Sequence, residues 1–143
     1  MDFKSFKLIQ KSFITEKDIE TQILEYLSYK GTVYKMNFGG KPIQINGYMQ
    51  MIPFQSKYKP DGFSDVLFLC EGKSYFFEVK KPEIKKHIFL NYTFYSNCNP
   101  KNLKGNRKTY AEQVQFINRV KKEGFVAGFV SSIEDVKKFL NLN

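Results

Sequence analysis

Residues 64–80 read SDVLFLCEGKSYFFEVK, two runs of strand-forming side chains on either side of Glu71-Gly72. Val, Leu, Phe and Tyr dominate both runs, and an acidic residue followed by glycine suits a two-residue hairpin turn. A loop of that length sets the register: Cys70 faces Lys73 and, counting outwards, Asp65 faces Glu78. Facing residues on one side of an antiparallel pair have Cβ atoms about 4.5–5.5 Å apart. Two carboxylates that close repel unless positive charge lies between them, which makes a divalent cation the natural occupant. Lys80 follows Glu78 by two residues and shares its face. A slip of one residue would send Asp65 to the other face, so the constellation depends on the turn.

Asp65 and Glu78 offer hard oxygen donors, and the adjacent backbone carbonyl of Val79 is a further candidate ligand. Such a donor set points to Mg²⁺ or Mn²⁺ rather than zinc. A cation held there polarises a phosphate and lowers the pKa of a bound water. Lys80 is placed to orient that water or to donate to the phosphate. The outline is that of phosphodiester hydrolysis. An ordinary polar strand face, balanced by Lys80 and Lys81, is the competing reading. The strongly apolar runs that Asp65 and Glu78 interrupt favour the site. Asp61, in Pro60-Asp61-Gly62, is the rival carboxylate. It lies four residues from Asp65, on the order of 13 Å at ~3.3 Å per residue, and reads as a turn residue.

Working outwards, Thr15 and Asp18 have the spacing of a capping box, with Ile14 and Ile19 placed as a hydrophobic staple. The helix they start runs to about Tyr29 and ends before Gly31, with Ile19, Ile23, Leu24 and Leu27 as its apolar stripe. Glu20 lies on or beside that stripe, where solvent at the stripe edge would also account for it. Residues 32–38 alternate as a strand, broken by Gly39-Gly40-Lys41-Pro42. Residues 43–62 show no clear period and read as a long connection with short extended pieces. Lys81-Pro82 closes the hairpin. Thr109 and Glu112 mark the cap of a second helix reaching Lys122, with Gln113 on its inward side. Residues 125–130, FVAGFV, suit a strand covered on both faces. Ser131 and Ser132 precede a last helix ending near Leu142, and residues 1–13 read as a short arm. The order is that of a single α/β domain, 1–143, on a small mixed sheet.

The chain has 143 residues, enough for one domain with a real core. No apolar run is long enough to span a membrane, and the N-terminus lacks a signal-peptide core. A cytoplasmic protein, with Cys70 and Cys98 as free thiols, is expected. The net charge of +9 is uneven. Lys80, Lys81, Lys85, Lys86, Lys101, Lys104, Arg107 and Lys108 face one acid, Glu83, a local net of +7 within 80–108. The same stretch is rich in Tyr, Phe and Asn. Aromatic rings interleaved with Lys and Arg stack on unpaired bases and contact phosphates. A solubilising face, or a partly ordered lid packed on the domain or a second subunit, is the alternative. On the mixed reading the rings mostly pack, while Lys81, Lys85, Lys86, Lys101, Lys104, Arg107 and Lys108 face nucleic acid.

Asp65 followed by Glu78-Val79-Lys80 resembles the PD-(D/E)xK nuclease superfamily. Glu20, then Gly62-Phe63-Ser64-Asp65, then Glu78-Val79-Lys80, then Gln113 resembles its VRR-NUC family over roughly residues 14 to 140. Ser64 stands where that family usually has proline, and the 83–108 insertion is longer than the pattern leads one to expect. The resemblance implies a restriction-endonuclease-like core (α-β-β-β-α-β-α). It also implies a Mg²⁺- or Mn²⁺-dependent endonuclease in which Glu20, Asp65 and Glu78 are metal ligands and Lys80 and Gln113 are catalytic or orienting. Stand-alone members resemble homodimers that cut branched DNA such as Holliday junctions, and that substrate and assembly are the expectation here. A non-enzymatic nucleic-acid-binding protein on the same fold, and a nuclease acting on RNA, are the alternatives.

Overall fold

A computed structural model describes residues 14–36, 40–53 and 61–141. The arm at 1–13 and the end of the 32–38 strand lie outside the described residues. Thr15 caps the first helix, α1 (Glu16–Ser28), with both bonds of the capping box present: Asp18 N donates to the Thr15 hydroxyl and Thr15 N donates to the Asp18 carboxylate. Ile19, Ile23 and Leu27 are its buried stripe. A short strand, β1 (Thr32–Lys35), follows.

The extended pieces expected within the long connection at 43–62 are paired strands, and residues 54–60 of that connection lie outside the described residues. β1 has ended before Gly40-Lys41-Pro42, which opens β2 (Gly40–Ile45); β2 pairs antiparallel with β3 (Tyr48–Pro53) as a separate two-stranded sheet. The turn between them is Asn46-Gly47, with φ of 51° and 80°. Two consecutive positive φ values define the hairpin turn that Asn-Gly favours.

The central hairpin has the expected register. β4 (Val66–Cys70) and β5 (Lys73–Val79) pair from Cys70↔Lys73 to Val66↔Phe77, around Glu71 and Gly72 at φ 50° and 77°. Pro82 then supplies the first position of α2 (Pro82–Leu90), where its missing N–H costs nothing. α3 (Tyr92–Asn97) and a 3₁₀ turn at Pro100–Asn102 follow. The basic, aromatic-rich stretch, for which a partly ordered lid was the alternative reading, is thus largely helical. α4 (Gly105–Lys122) starts four residues before the expected cap. Lys104 is the N-cap, and Thr109 lies inside the helix, its hydroxyl 3.5 Å from the Gly105 carbonyl. β6 (Val126–Val130) and α5 (Ile133–Leu140), capped by Ser132, complete the chain.

The main sheet has the order β1-β4-β5-β6, with β5 and β6 parallel and the other pairs antiparallel. A parallel pair needs a crossover, and α2 to α4 provide it. One face packs Val66, Phe68, Phe77, Val79 and Val130 against α1 and α5. The other packs Ala127 and Phe129 against Ala111, Val114, Ile117 and Val120 of α4, with Ile88 and Tyr95 from α2 and α3. β6 contributes to both cores, which is why its sequence is an unbroken apolar run. The fold is therefore mixed α/β, a small mixed sheet flanked by helices. Among the described residues no helix is long and apolar enough to cross a membrane.

Candidate active site

Alternation along β5 sends Phe77 and Val79 into the α1 core and leaves Glu78 and Lys80 on the side of α4. Glu78 is 1 % exposed. From α4, Gln113 Nε2 donates to Glu78 Oε1 at 2.7 Å, and Lys80 Nζ is 3.7 Å from the same oxygen. Glu78 Oε2 is buried without a partner. Burial pushes the Glu78 carboxyl well above its ordinary value; the Asp65 charge and the side-chain contact with Asp65 push the same way, and Lys80 opposes them.

Asp65 stands one residue before β4, at the position the register carries opposite Glu78. Its Oδ2 accepts the Val79 N–H at 3.0 Å, and its backbone carbonyl accepts the Met36 N–H at 2.8 Å. The carboxylate is thereby held at the end of the sheet. In a strand the N–H and C=O of one residue leave by the same side, so the Val79 carbonyl is directed to the Asp65 edge. The Lys80 N–H donates to the Val130 carbonyl at 3.0 Å, and its Nζ lies 5.4 Å from the Tyr110 ring centroid. Lys80 is thus fixed at both ends, with its charge against the face of a ring.

Glu20, expected beside Asp65 and Glu78, is ion-paired instead with Lys35 at 3.0 Å. Among the described residues no three His, Cys, Asp or Glu side chains form a ready metal cage. The structure therefore brings Asp65, Glu78, Lys80 and Gln113 together and ties Glu20 to the end of β1. Glu16 was missed by the sequence reading. Its carboxyl is raised by partial burial, lowered by Lys80, and raised by Asp65 and Glu20, so it belongs to the same field. The signal was available: Glu16 and Glu20 are four apart and share a helix face. Asp61 is elsewhere, close enough to Glu112 on α4 to help raise the Glu112 carboxyl, behind burial as the main cause.

Three buried atoms have no hydrogen-bond partner: Glu78 Oε2 and Gln113 Oε1, on side chains bonded to each other, and Ser64 Oγ, one residue before Asp65. Buried polar atoms are rarely left so. The open Glu78 oxygen on a carboxylate beside Asp65 fits a hydrated divalent cation, since Mg²⁺ keeps several waters and takes only one or two carboxylates from the protein. Asp65, Glu78 and the Val79 carbonyl meet that requirement without Glu20.

The basic residues divide. Lys85, expected to face nucleic acid, instead bonds Asp135 at 2.7 Å and ties α2 to α5. Lys81 is half-buried and close enough to act on Glu16. Lys86, Lys101, Lys104, Arg107 and Lys108 are exposed. No family model, curated protein or solved structure matches this chain.

Proposed function

We propose that this chain is a divalent-metal-dependent nuclease built on a restriction-endonuclease-like core. The observation that carries the reading is the buried Glu78 carboxylate, one oxygen unpartnered, set beside Asp65 and next to a buried lysine. Such a group is unfavourable unless a cation or a proton joins it. Mg²⁺ or Mn²⁺, held by Asp65, Glu78 and the Val79 carbonyl, would neutralise phosphate charge and activate water. Gln113 keeps Glu78 Oε1 aimed by its hydrogen bond. Lys80, steadied by Tyr110, is placed to donate to a phosphate oxygen or to hold the attacking water. Glu16 adds negative potential at the rim, where Lys35 offsets the charge of Glu20, and the exposed lysines and Arg107 supply attraction for a polyanion.

Branched DNA such as a Holliday junction, cut by a homodimer, is the substrate class we favour, because symmetric incision needs two sites and one chain offers one. The test is cleavage of four-way junction, flap, duplex, single-stranded DNA and RNA substrates with Mg²⁺, Mn²⁺ or Ca²⁺, beside sedimentation. Metal-dependent cleavage lost in Glu78→Ala supports the reading; full activity of that variant refutes it. The exposed Lys86, Lys101, Lys104, Arg107 and Lys108 also suit a second reading, a nucleic-acid-binding protein without catalysis. It requires salt-sensitive binding and no cleavage of any substrate with any metal.

A further inference from the structure

Helix α4 carries a row of side chains from Glu78 to the surface. Gln113 bonds Glu78, Tyr110 lies against Lys80, and the Arg107 guanidinium lies 5.4 Å from the Phe94 ring centroid. Residues three apart share a helix face. Six residues span about 9 Å at ~1.5 Å each, which is between two and three nucleotides at ~3.4 Å per step. The row ends at the surface, where the Phe94 ring beside Arg107 is 46 % exposed. Exposed Lys86, Lys101, Lys104 and Lys108 lie on the same helical crossover, in the segment whose local charge is +7. That charge selects a polyanion over a second copy of a chain that is itself +9.

We propose that Phe94, backed by Arg107, is a stacking platform for an unpaired base of a DNA strand that follows α4 to the Glu78 site. The platform selects substrates with an unpaired base two or three nucleotides from the cleaved bond. Every base has a flat face, so stacking on a ring or a guanidinium is tolerant of sequence but demands that the base be out of a duplex. The inference rests on the nucleic-acid part of the function proposed above, not on its catalytic part.

The experiment is binding of the full chain in EDTA, where no cleavage occurs, to labelled duplex and to the same duplex with a short gap carrying 2-aminopurine. Wild type is expected to prefer the gapped DNA by roughly ten-fold, the scale of one stacked base, and to quench the 2-aminopurine. Phe94→Leu keeps the apolar bulk and loses both the preference and the quenching, whereas Phe94→Tyr keeps both. Arg107→Gln weakens binding to both DNAs and lowers the salt dependence. Equal affinity for the two DNAs, or a preference that survives Phe94→Leu, overturns the proposal. So does a Phe94→Leu variant that changes sedimentation mass but not DNA preference, which would make the ring a contact between copies. Ring-dependent preference without cleavage under Mg²⁺ would leave the platform standing and refute the catalytic reading alone.

Discussion

Gly62→Ala is expected to damage this protein far more than its place in a surface turn suggests. An ideal Cβ on Gly62 would lie 2.4 Å from both the carbonyl carbon and the oxygen of Glu112, and 2.6 Å from the Gln113 nitrogen. All three are backbone atoms of α4, so no side-chain rotation relieves the overlap. Contact at about 3.5 Å requires the turn and the helix to part by roughly 1 Å. Such a shift would lengthen the 2.7 Å Gln113–Glu78 bond to ~3.7 Å if the helix moves, past the limit of a hydrogen bond. If the turn moves instead, Asp65 is drawn off, three residues along. The residue also sits at φ +76°, which costs a residue with a Cβ about 1–2 kcal/mol. Overpacking adds roughly 1–3 kcal/mol, for a total of about 2–5 kcal/mol. Gly72→Ala is the control: its φ is +77° and nothing lies within 4 Å of an added Cβ. It should lose only the conformational share, about 1–2 kcal/mol. Urea unfolding of the two variants measures the difference, and thermal unfolding should show it at roughly 3–5 °C per kcal/mol for a chain of this size. Equal losses in the two variants would refute the close approach of Gly62 to α4.

Three further outcomes follow from the site and its surroundings. Burial raises the folded-state value of Glu78 above 4.5, so its contribution to stability is complete below that pH and is lost as pH rises through the folded value. Glu78→Gln should therefore stabilise the metal-free protein at neutral pH by about 1–3 kcal/mol, flatten the slope between acid and neutral pH, and abolish any Mg²⁺-induced rise in Tm; a destabilised variant with an unchanged slope would count against the buried anion. Burial would raise Asp135, but its bonds to Lys85, at 2.7 Å, and to the Ser131 N–H and hydroxyl outweigh it and hold the carboxyl below 3.8. Its stabilising effect is present above that pH and lost as pH falls through the folded value, so Asp135→Asn should remove part of the acid limb in a circular-dichroism titration, and an unaltered limb would show that the latch is idle. Glu16→Gln should weaken Mg²⁺ binding a few-fold through lost negative potential, measured by calorimetry, and unchanged affinity would place Glu16 outside the site.

Much of the candidate site was legible because it depends on local rules. The hairpin register follows from the length of one loop, and Glu71-Gly72 specifies that loop through its positive φ values. The two-residue period then brought Asp65 opposite Glu78 and put Lys80 beside it. The cap at Thr15 and the inward side of Gln113 were legible for the same reason, since hydrogen-bond spacing and the 3.6-residue period operate within one element. Two local signals were present but unread. Asn46-Gly47 marks a hairpin, and Pro82 with Ile84 and Ile88 marks a helix.

The sequence by itself determined that two carboxylates and a lysine share one strand face and that the chain is a mixed α/β domain. Tertiary structure alone decided their company. Lys35 takes Glu20, Asp135 takes Lys85, and Glu16 enters the field of Asp65 and Lys80. These are meetings between residues 15 to 64 apart in the chain, made where helices pack against the sheet and against one another. α4 likewise begins at Gly105 without a side-chain cap, where Arg107 meets Phe94; no local rule marks that start, because the partner lies on another helix. The hairpin sets the carboxylates in place, and the helices around it decide which charge each one answers.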